Sequence, residues 1–392
     1  MVEKLYKFPE VLFFQEGPGV RNHQYTTSGV KLLNVSNLRN GQIDLTTSDR
    51  YISENEAFNK YSHFLCDPND FIIASSGIKI DSFNSKMGFI HQSDLPVCMN
   101  TSTIRFKVLN KEVLEIRYFM YYLKSIAFKK VLTKVVTGSA QLNFGPSHLK
   151  NMSISLPNLD VQKNIVQRLD RVNKLIEIKR KLLFLLDGLV KSRFVELISK
   201  NKLIYQKVRL KDCCLISSGA TPSRKNSDYW DENGINWFKT TELKNNFLID
   251  SEEKISELGY EKTSVKLLPK HTVLIAMYGQ GKTRGMTGYL LNNATTNQAC
   301  AALISLDIIN PKYLWYTMIN SYDRLRNMAK GGTQPNLSVS SIKDFEIILP
   351  PIDIQNKFTN YIEQINKLKS DVQKSIDETQ LLMDSLMQEY FG

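Results

Sequence analysis

Apolar positions recur in a 4-3 ladder in the middle of the chain and again at its end. The first ladder runs Ile165, Leu169, Val172, Ile176, Leu183, Leu186 and Val190, with Lys179 on one rung. The second runs Phe358, Ile362, Ile365, Val372, Ile376, Met383, Leu386 and Tyr390, with Lys369 and Thr379 on two rungs. Each ladder spans several heptads, which predicts two coiled-coil helices. A helix of about 40 residues is on the order of 60 Å long. An antiparallel pair is the simplest way to bury both ladders, with Lys179 and Lys369 as tolerated flaws or register devices.

Elsewhere the pattern shortens to β-type runs bounded by turns. Gly29 to Asp44 alternates and then turns, and its counterpart is Gly234 to Asp250. Pro68 to Gly77 (PNDFIIASSG) reads as turn, buried strand and glycine-ended loop, as does Pro269 to Gly279 (PKHTVLIAMYG). Asn100 corresponds to Asn297, and the aromatic segment Tyr118 to Leu123 to Tyr313 to Met318. Helical spacing of those aromatics predicts core packing rather than base stacking.

These correspondences belong to one internal repeat. Gly138 to Gln162 laid without gaps on Gly331 to Gln355 matches at ten of 25 positions. Each copy holds a polar Gly-Gln-Asn loop, a short strand ending in Leu-Pro, and the start of a ladder helix. Pro157 and Pro350 stop the strand, and Asp160 or Asp353 is placed to cap the helix. The predicted organisation is a globular unit over 1–157, a helix over 158–198, a second unit over 199–350 and a helix over 351–392. The fold class is α+β: two globular units with mixed β-sheets, two long antiparallel coiled-coil helices separating them, and an approximate two-fold axis relating the copies.

Charge narrows the partner. Lys and Arg number 51 against 39 Asp and Glu, a formal net charge of +12 with a pI near 9.2. No amphipathic basic helix stands out, so the polyanion expected is nucleic acid rather than membrane. The first residues, MVEKLYKFPEV, lack an apolar run of the secretory kind, and no segment approaches membrane-span length. The five cysteines, Cys66, Cys98, Cys213, Cys214 and Cys300, lack metal-ligand spacing. Cys213 and Cys214, adjacent in an expected strand, point to opposite faces in that reading. Reduced thiols in a cytoplasmic protein are the expectation.

Catalytic motifs are sparse. His23, His63, His91, His148 and His271 are scattered, and neither G-x-S-x-G nor a dinucleotide fingerprint occurs. Ala276 to Thr283 (AMYGQGKT) departs from a phosphate-binding loop only in its first residue. The glycines beyond it, Gly285 and Gly288, oppose the helix such a loop must open. Two alternatives stay open: a nucleotide-binding enzyme, and a coiled-coil scaffold without sequence preference.

As nucleic-acid contacts the loops make better sense, because cations reach phosphates while Asn, Gln, Arg and Lys read base edges. The candidates in the first half are Arg21, Lys31, Asn34, Ser75, Ser76, Lys79, Lys86, Gln141 and Asn143. Those in the second are Arg224, Lys225, Lys239, Tyr278, Gln280, Lys282, Thr283, Arg284, Gln334 and Asn336.

Two variable units, each closed by GSAQLNFGPSHLKNMSISLPNLDVQ or GGTQPNLSVSSIKDFEIILPPIDIQ and a long helix ending in a Phe-containing segment (LVKSRFVEL, LMQEYFG), resemble the specificity subunit of type I restriction-modification systems. The first copy departs from the second in having Leu142 and Phe144 where the second has Pro335 and Leu337. The resemblance implies a non-catalytic subunit whose two domains each read half of a bipartite DNA site. It implies helices that set the gap and dock two methyltransferase subunits, with motor-nuclease subunits joining for cleavage. S-adenosylmethionine, ATP and Mg²⁺ are then expected on those partners and none on this chain; the Asn-Pro-Pro-aromatic motif of an adenine methylase is absent.

Overall fold

The two apolar ladders become the longest helices of the computed structural model. The helices that organise the molecule are α1 (Ile116–Lys124), α2 (Leu159–Lys200), α3 (Pro311–Asn320), α4 (Tyr322–Asn327) and α5 (Ile352–Phe391). The structure describes residues 3–135, 142–200, 205–279, 281–328 and 336–392. Contacts divide the chain into two compact units, Met1–Arg180 with Lys374–Gly392, and Lys181–Gln373. Each unit therefore takes part of both long helices.

In the first unit the start of α2 lies antiparallel to the end of α5. Arg168 donates to the Tyr390 hydroxyl at 3.2 Å, and Lys179 Nζ donates to Thr379 Oγ1 at 2.6 Å and to Ser375 O at 3.0 Å. Ile165, Leu169, Val172, Ile176, Ile376 and Met383 are buried there, and Leu386 half-buried. The two polar rungs Lys179 and Thr379 thus face each other, so the ammonium is met by an acceptor. The antiparallel sheet of this unit runs Leu12–Glu16, Thr103–Val108, Phe71–Ala74, Met87–Phe89. Phe71, Phe106 and Phe119 of α1 pack in tilted and edge-on pairs with ring centroids 5.1, 6.1 and 6.4 Å apart. A second, mixed sheet joins Val97–Met99, Val30–Leu33 and Tyr51–Ile52.

The second unit repeats the plan. Its sheet runs Cys214–Ser218, Cys300–Ser305, Val273–Ala276, Thr287–Leu290, with Asn246–Leu248 added in parallel at the edge. A mixed sheet joins Lys254–Ile255, Trp230–Phe238 and Thr295–Thr296. The end of α2 lies against the start of α5, with Phe194 5.6 Å from Phe358 and Lys369 bonded to Asp187 at 2.5 Å. Leu186, Phe358, Ile362 and Ile365 are buried, and Leu183 and Val372 half-buried. Phe194 packs on Tyr313 of α3, as Phe391 packs on Tyr118 of α1.

The repeated Leu-Pro strands pair with the strands that open each unit: Ser153–Leu156 with Lys4–Lys7, and Glu346–Leu349 with Gln206–Arg209, both antiparallel. The glutamines that end the repeat, Gln162 and Gln355, are fully buried and wired alike. Gln162 Nε2 donates to Pro157 O at 2.8 Å and Val113 O at 2.9 Å, and its Oε1 accepts from Glu115 N at 3.0 Å. Gln355 Nε2 donates to Pro350 O at 2.8 Å and Ile308 O at 3.1 Å, and its Oε1 accepts from Asn310 N at 2.8 Å. Each glutamine ties a long helix to the residue that caps α1 or α3.

Two local expectations change. The α2 N-terminus is capped by Asn158, whose Oδ1 accepts from Val161 N at 2.9 Å, while Asp160 sits in the first turn. Asp353 likewise lies inside the first turn of α5, 3.7 Å from Lys357. Cys213 ends a short helical turn, Leu210–Cys213, and Cys214 begins a strand, so their sulfurs lie 3.9 Å apart instead of on opposite faces. All five cysteines are buried free thiols.

Candidate nucleic-acid interface

Within the first unit, the loop after Phe71–Ala74 meets the repeat loop. Strand Ser76–Ile78 pairs with Leu142–Asn143, and Phe144 N donates to Ser75 O at 2.9 Å. This sets Ser76 opposite Asn143, which is exposed. Ser75 is fully buried; its N–H donates to Ser102 O at 2.9 Å. Asn34 is buried too, and its amide is spent locally: Nδ2 donates to Leu32 O, and Oδ1 accepts from Asn100 Nδ2, both at 3.0 Å. Asn34 and Ser75 therefore hold the surface from beneath. Lys86 folds back to Val35 O at 3.4 Å, Lys31 bonds the Tyr51 hydroxyl at 3.1 Å, and Arg21 and Lys79 are exposed. Beside Asn34 opens a polar cleft of about 590 Å³, lined among others by Ser36, Thr47, Arg50, Thr101 and Ser102. Sequence reading passed over those residues, although Asn100, placed opposite Asn297, pointed to the turn that carries two of them. Asn100 N donates to Leu33 O and Asn297 N to Phe238 O, the same junction in both copies.

In the second unit the corresponding loop runs from Met277 to Met286. Gly285 N closes its base on Ala276 O at 2.9 Å, and Leu337 N donates to Met277 O at 3.0 Å, which sets Leu337, next to Asn336, beside it. Exposed Tyr278, Lys282 and Asn336 and half-buried Thr283 and Arg284 belong to this cluster. Gln141, Gln280 and Gln334 lie outside the described residues. The loop leads into strand Thr287–Leu290 rather than a helix, so no helix N-terminus is there to receive phosphates.

Arg224 and Lys239 occupy a different neighbourhood. Arg224 forms a two-pronged ion pair with Glu253 and stacks 4.1 Å over Trp230 and 5.1 Å over Trp237. Lys239 pairs with Glu253 at 2.9 Å and Glu252 at 3.0 Å. The Arg224 and Lys239 hydrogen bonds hold the Glu253 carboxyl down to about 2. The cleft beside them, about 490 Å³, is lined by Asp231, Glu232, Asp250, Glu252 and Glu253. Acid thus answers these cations locally, and of that group only Lys225 stands exposed without a place in this network.

Among the described residues, no group of three or more His, Cys, Asp or Glu is placed to hold a metal. Nor is any helix there long and apolar enough to cross a membrane. The Tyr118 and Tyr313 segments are buried in the core, as their spacing predicts.

Two repeated α+β units, each gathering basic and amide side chains on paired loops and each built on both long helices, define a duplicated recognition protein. The chain belongs to the type I restriction-modification DNA specificity family, whose domain matches it twice, over residues 26–186 and 204–379. The type I restriction enzyme MjaVIII specificity subunit of Methanocaldococcus jannaschii is 30% identical over 178 residues, 45% of this chain and 41% of that protein. The chain thus matches less than half the length of that curated relative. A type I restriction-modification S subunit from M. genitalium shares the fold with a TM-score of 0.52 at 15% identity, over 100% of this chain and 96% of that one. A chain from another type I restriction-modification structure superposes with a TM-score of 0.61 at 16% identity, over 99% and 97%.

Proposed function

We propose that this chain is the DNA-recognition subunit of a cytoplasmic type I restriction-modification complex and performs no chemistry itself. Each unit reads one half of a bipartite site. The observation that carries this is the duplication: the same scaffold presents Ser76, Lys79 and Asn143 in one copy and Tyr278, Lys282, Thr283 and Asn336 in the other. Equal scaffolds with unequal tips call for two half-sites of unequal sequence. Cations neutralise phosphates, giving salt-dependent affinity, and the amides and hydroxyls discriminate base edges.

The long helices serve a partner and a ruler. Besides its buried ladder, α2 carries a second 3-4 stripe, Leu175, Ile178, Leu182, Leu185 and Leu189, that is 41 to 54% exposed. An apolar heptad stripe in water favours a further helix, and a pair of methyltransferase subunits is the occupant this reading assigns. S-adenosylmethionine, ATP and Mg²⁺ then act on the methyltransferase and motor-nuclease partners. The unbroken course of α2 over Leu159–Lys200 supports its use as a spacer of constant length.

Adding or deleting one heptad within Ile165 to Val190 shifts the permitted gap and leaves both half-sites unchanged, as read by genome-wide adenine methylation mapping in a strain with the assembled complex. New half-sites at the old gap would overturn the spacer role.

A further inference from the structure

The loop that carries Lys282, Thr283 and Arg284 is rich in glycine, yet it is held. Gly279, Gly281 and Gly285 all take positive φ, at 140°, 60° and 87°. Such a segment has large freedom in the unfolded chain and, left alone, would keep much of it. A reader of base edges needs the opposite, because freedom lost on binding subtracts from affinity and blurs the distinction between right and wrong bases.

Helix α4 supplies the restraint. Leu325 is fully buried and anchors the helix in the core. Tyr322 and Arg326, one turn apart, share the helix face that meets the loop. The Tyr322 hydroxyl donates to Lys282 O at 2.8 Å, and Arg326 NH1 donates to Arg284 O at 3.0 Å. Arg326 also donates to the Tyr322 hydroxyl at 3.2 Å, so the phenol relays between guanidinium and loop. Between the two anchored carbonyls, Thr283 O accepts from Met286 N at 2.9 Å. Three consecutive carbonyls are therefore satisfied from within the protein. Gly285 lies against Tyr322 and Arg326, and its positive φ, which side chains rarely adopt, sets the turn that brings the loop to the helix.

The first copy lacks this device. With Tyr118 set on Tyr313, an offset of 313 − 118 = 195, the positions of Tyr322 and Arg326 fall on Ala127 and Val131, which offer no polar group. There the segment after the loop is held by rings: Phe83 stacks on Phe128 at 6.1 Å and meets Phe144 edge-on at 6.3 Å. The two copies solve the same mechanical problem by different chemistry.

We infer that Tyr322 and Arg326 are positioning residues for DNA sequence discrimination by the second unit, acting through the backbone of Lys282 to Arg284. The inference rests on the DNA-reading role proposed above. It confines the effect of the clamp to one half of the site.

The test uses the full chain assembled with its methyltransferase partner and maps adenine methylation across genomic DNA, alongside thermal unfolding followed by tryptophan fluorescence. Tyr322→Phe and Arg326→Leu are expected to relax at least one base in one half-site, raising methylation at mismatched sites about tenfold or more relative to cognate sites, and to leave the other half unchanged. Arg326→Lys, which keeps a donor, is expected to fall between Leu and wild type. Methylation patterns unchanged in both halves would overturn the clamp, as would equal loss in both halves, which is the mark of general destabilisation. A wild-type complex that yields no bipartite motif at all would instead overturn the DNA-reading role, and the clamp's function with it.

Discussion

Replacing Gln355 with leucine tests whether the repeated glutamine fastens the second long helix to its unit. The side chain is fully buried and makes three hydrogen bonds, to Pro350 O, Ile308 O and from Asn310 N. Leucine is similar in size but restores none of them. A buried group left unpaired costs about 1–3 kcal/mol, with carbonyls at the lower end because they hold two lone pairs. Part of that cost is offset by the added apolar burial, leaving a net loss of about 3 kcal/mol. The damage spreads, since Asn310 also caps α3 through its side chain, at 2.9 Å to Lys312 N and 3.2 Å to Tyr313 N. For a unit spanning Lys181–Gln373, about 2–4 °C per kcal/mol converts the loss into a fall in Tm of roughly 6–12 °C. The assay is well placed, because all three tryptophans, Trp230, Trp237 and Trp315, lie in that unit. A fluorescence-monitored midpoint that falls by less than about 2 °C would refute the account, showing that the glutamine is a bystander of the repeat.

Substituting Lys282 by alanine is expected to weaken binding about equally on all sequences and to lower the slope of log affinity against log salt by about one, checked by salt-titrated competition; an unchanged slope would remove Lys282 from the phosphate contacts. Glu253 gives a pH signature. Its folded carboxyl is held down to about 2, below its ordinary 4.5, by Arg224 and then Lys239, so its contribution is present above about 4.5 and lost as pH falls toward 2. Glu253→Gln should flatten the acid limb of stability within that window and leave its shape near neutrality alone; acid unfolding curves of identical shape would contradict the pairing.

The sequence determined what depends on period and repetition. Heptad spacing records which side of a helix must leave water, and that condition is local to the helix. Hence α2, α5, the Leu-Pro strands and the two-unit plan were all legible. So was the packing role of Tyr118 and Tyr313. Tertiary structure decided which polar groups remain available, because burial and pairing join residues far apart in the chain. Asn34 and Ser75 read as loop donors, yet Asn100 and Ser102 enclose them. Arg224 and Lys239 read as nucleic-acid contacts, yet Glu253, folded onto both, pairs with them. Gln162 and Gln355 stood out as matches without a role until the carbonyls of Val113 and Ile308 came within reach of their amides. The second apolar stripe of α2 was written in the sequence as plainly as the first; only the fold showed which of the two stays in water.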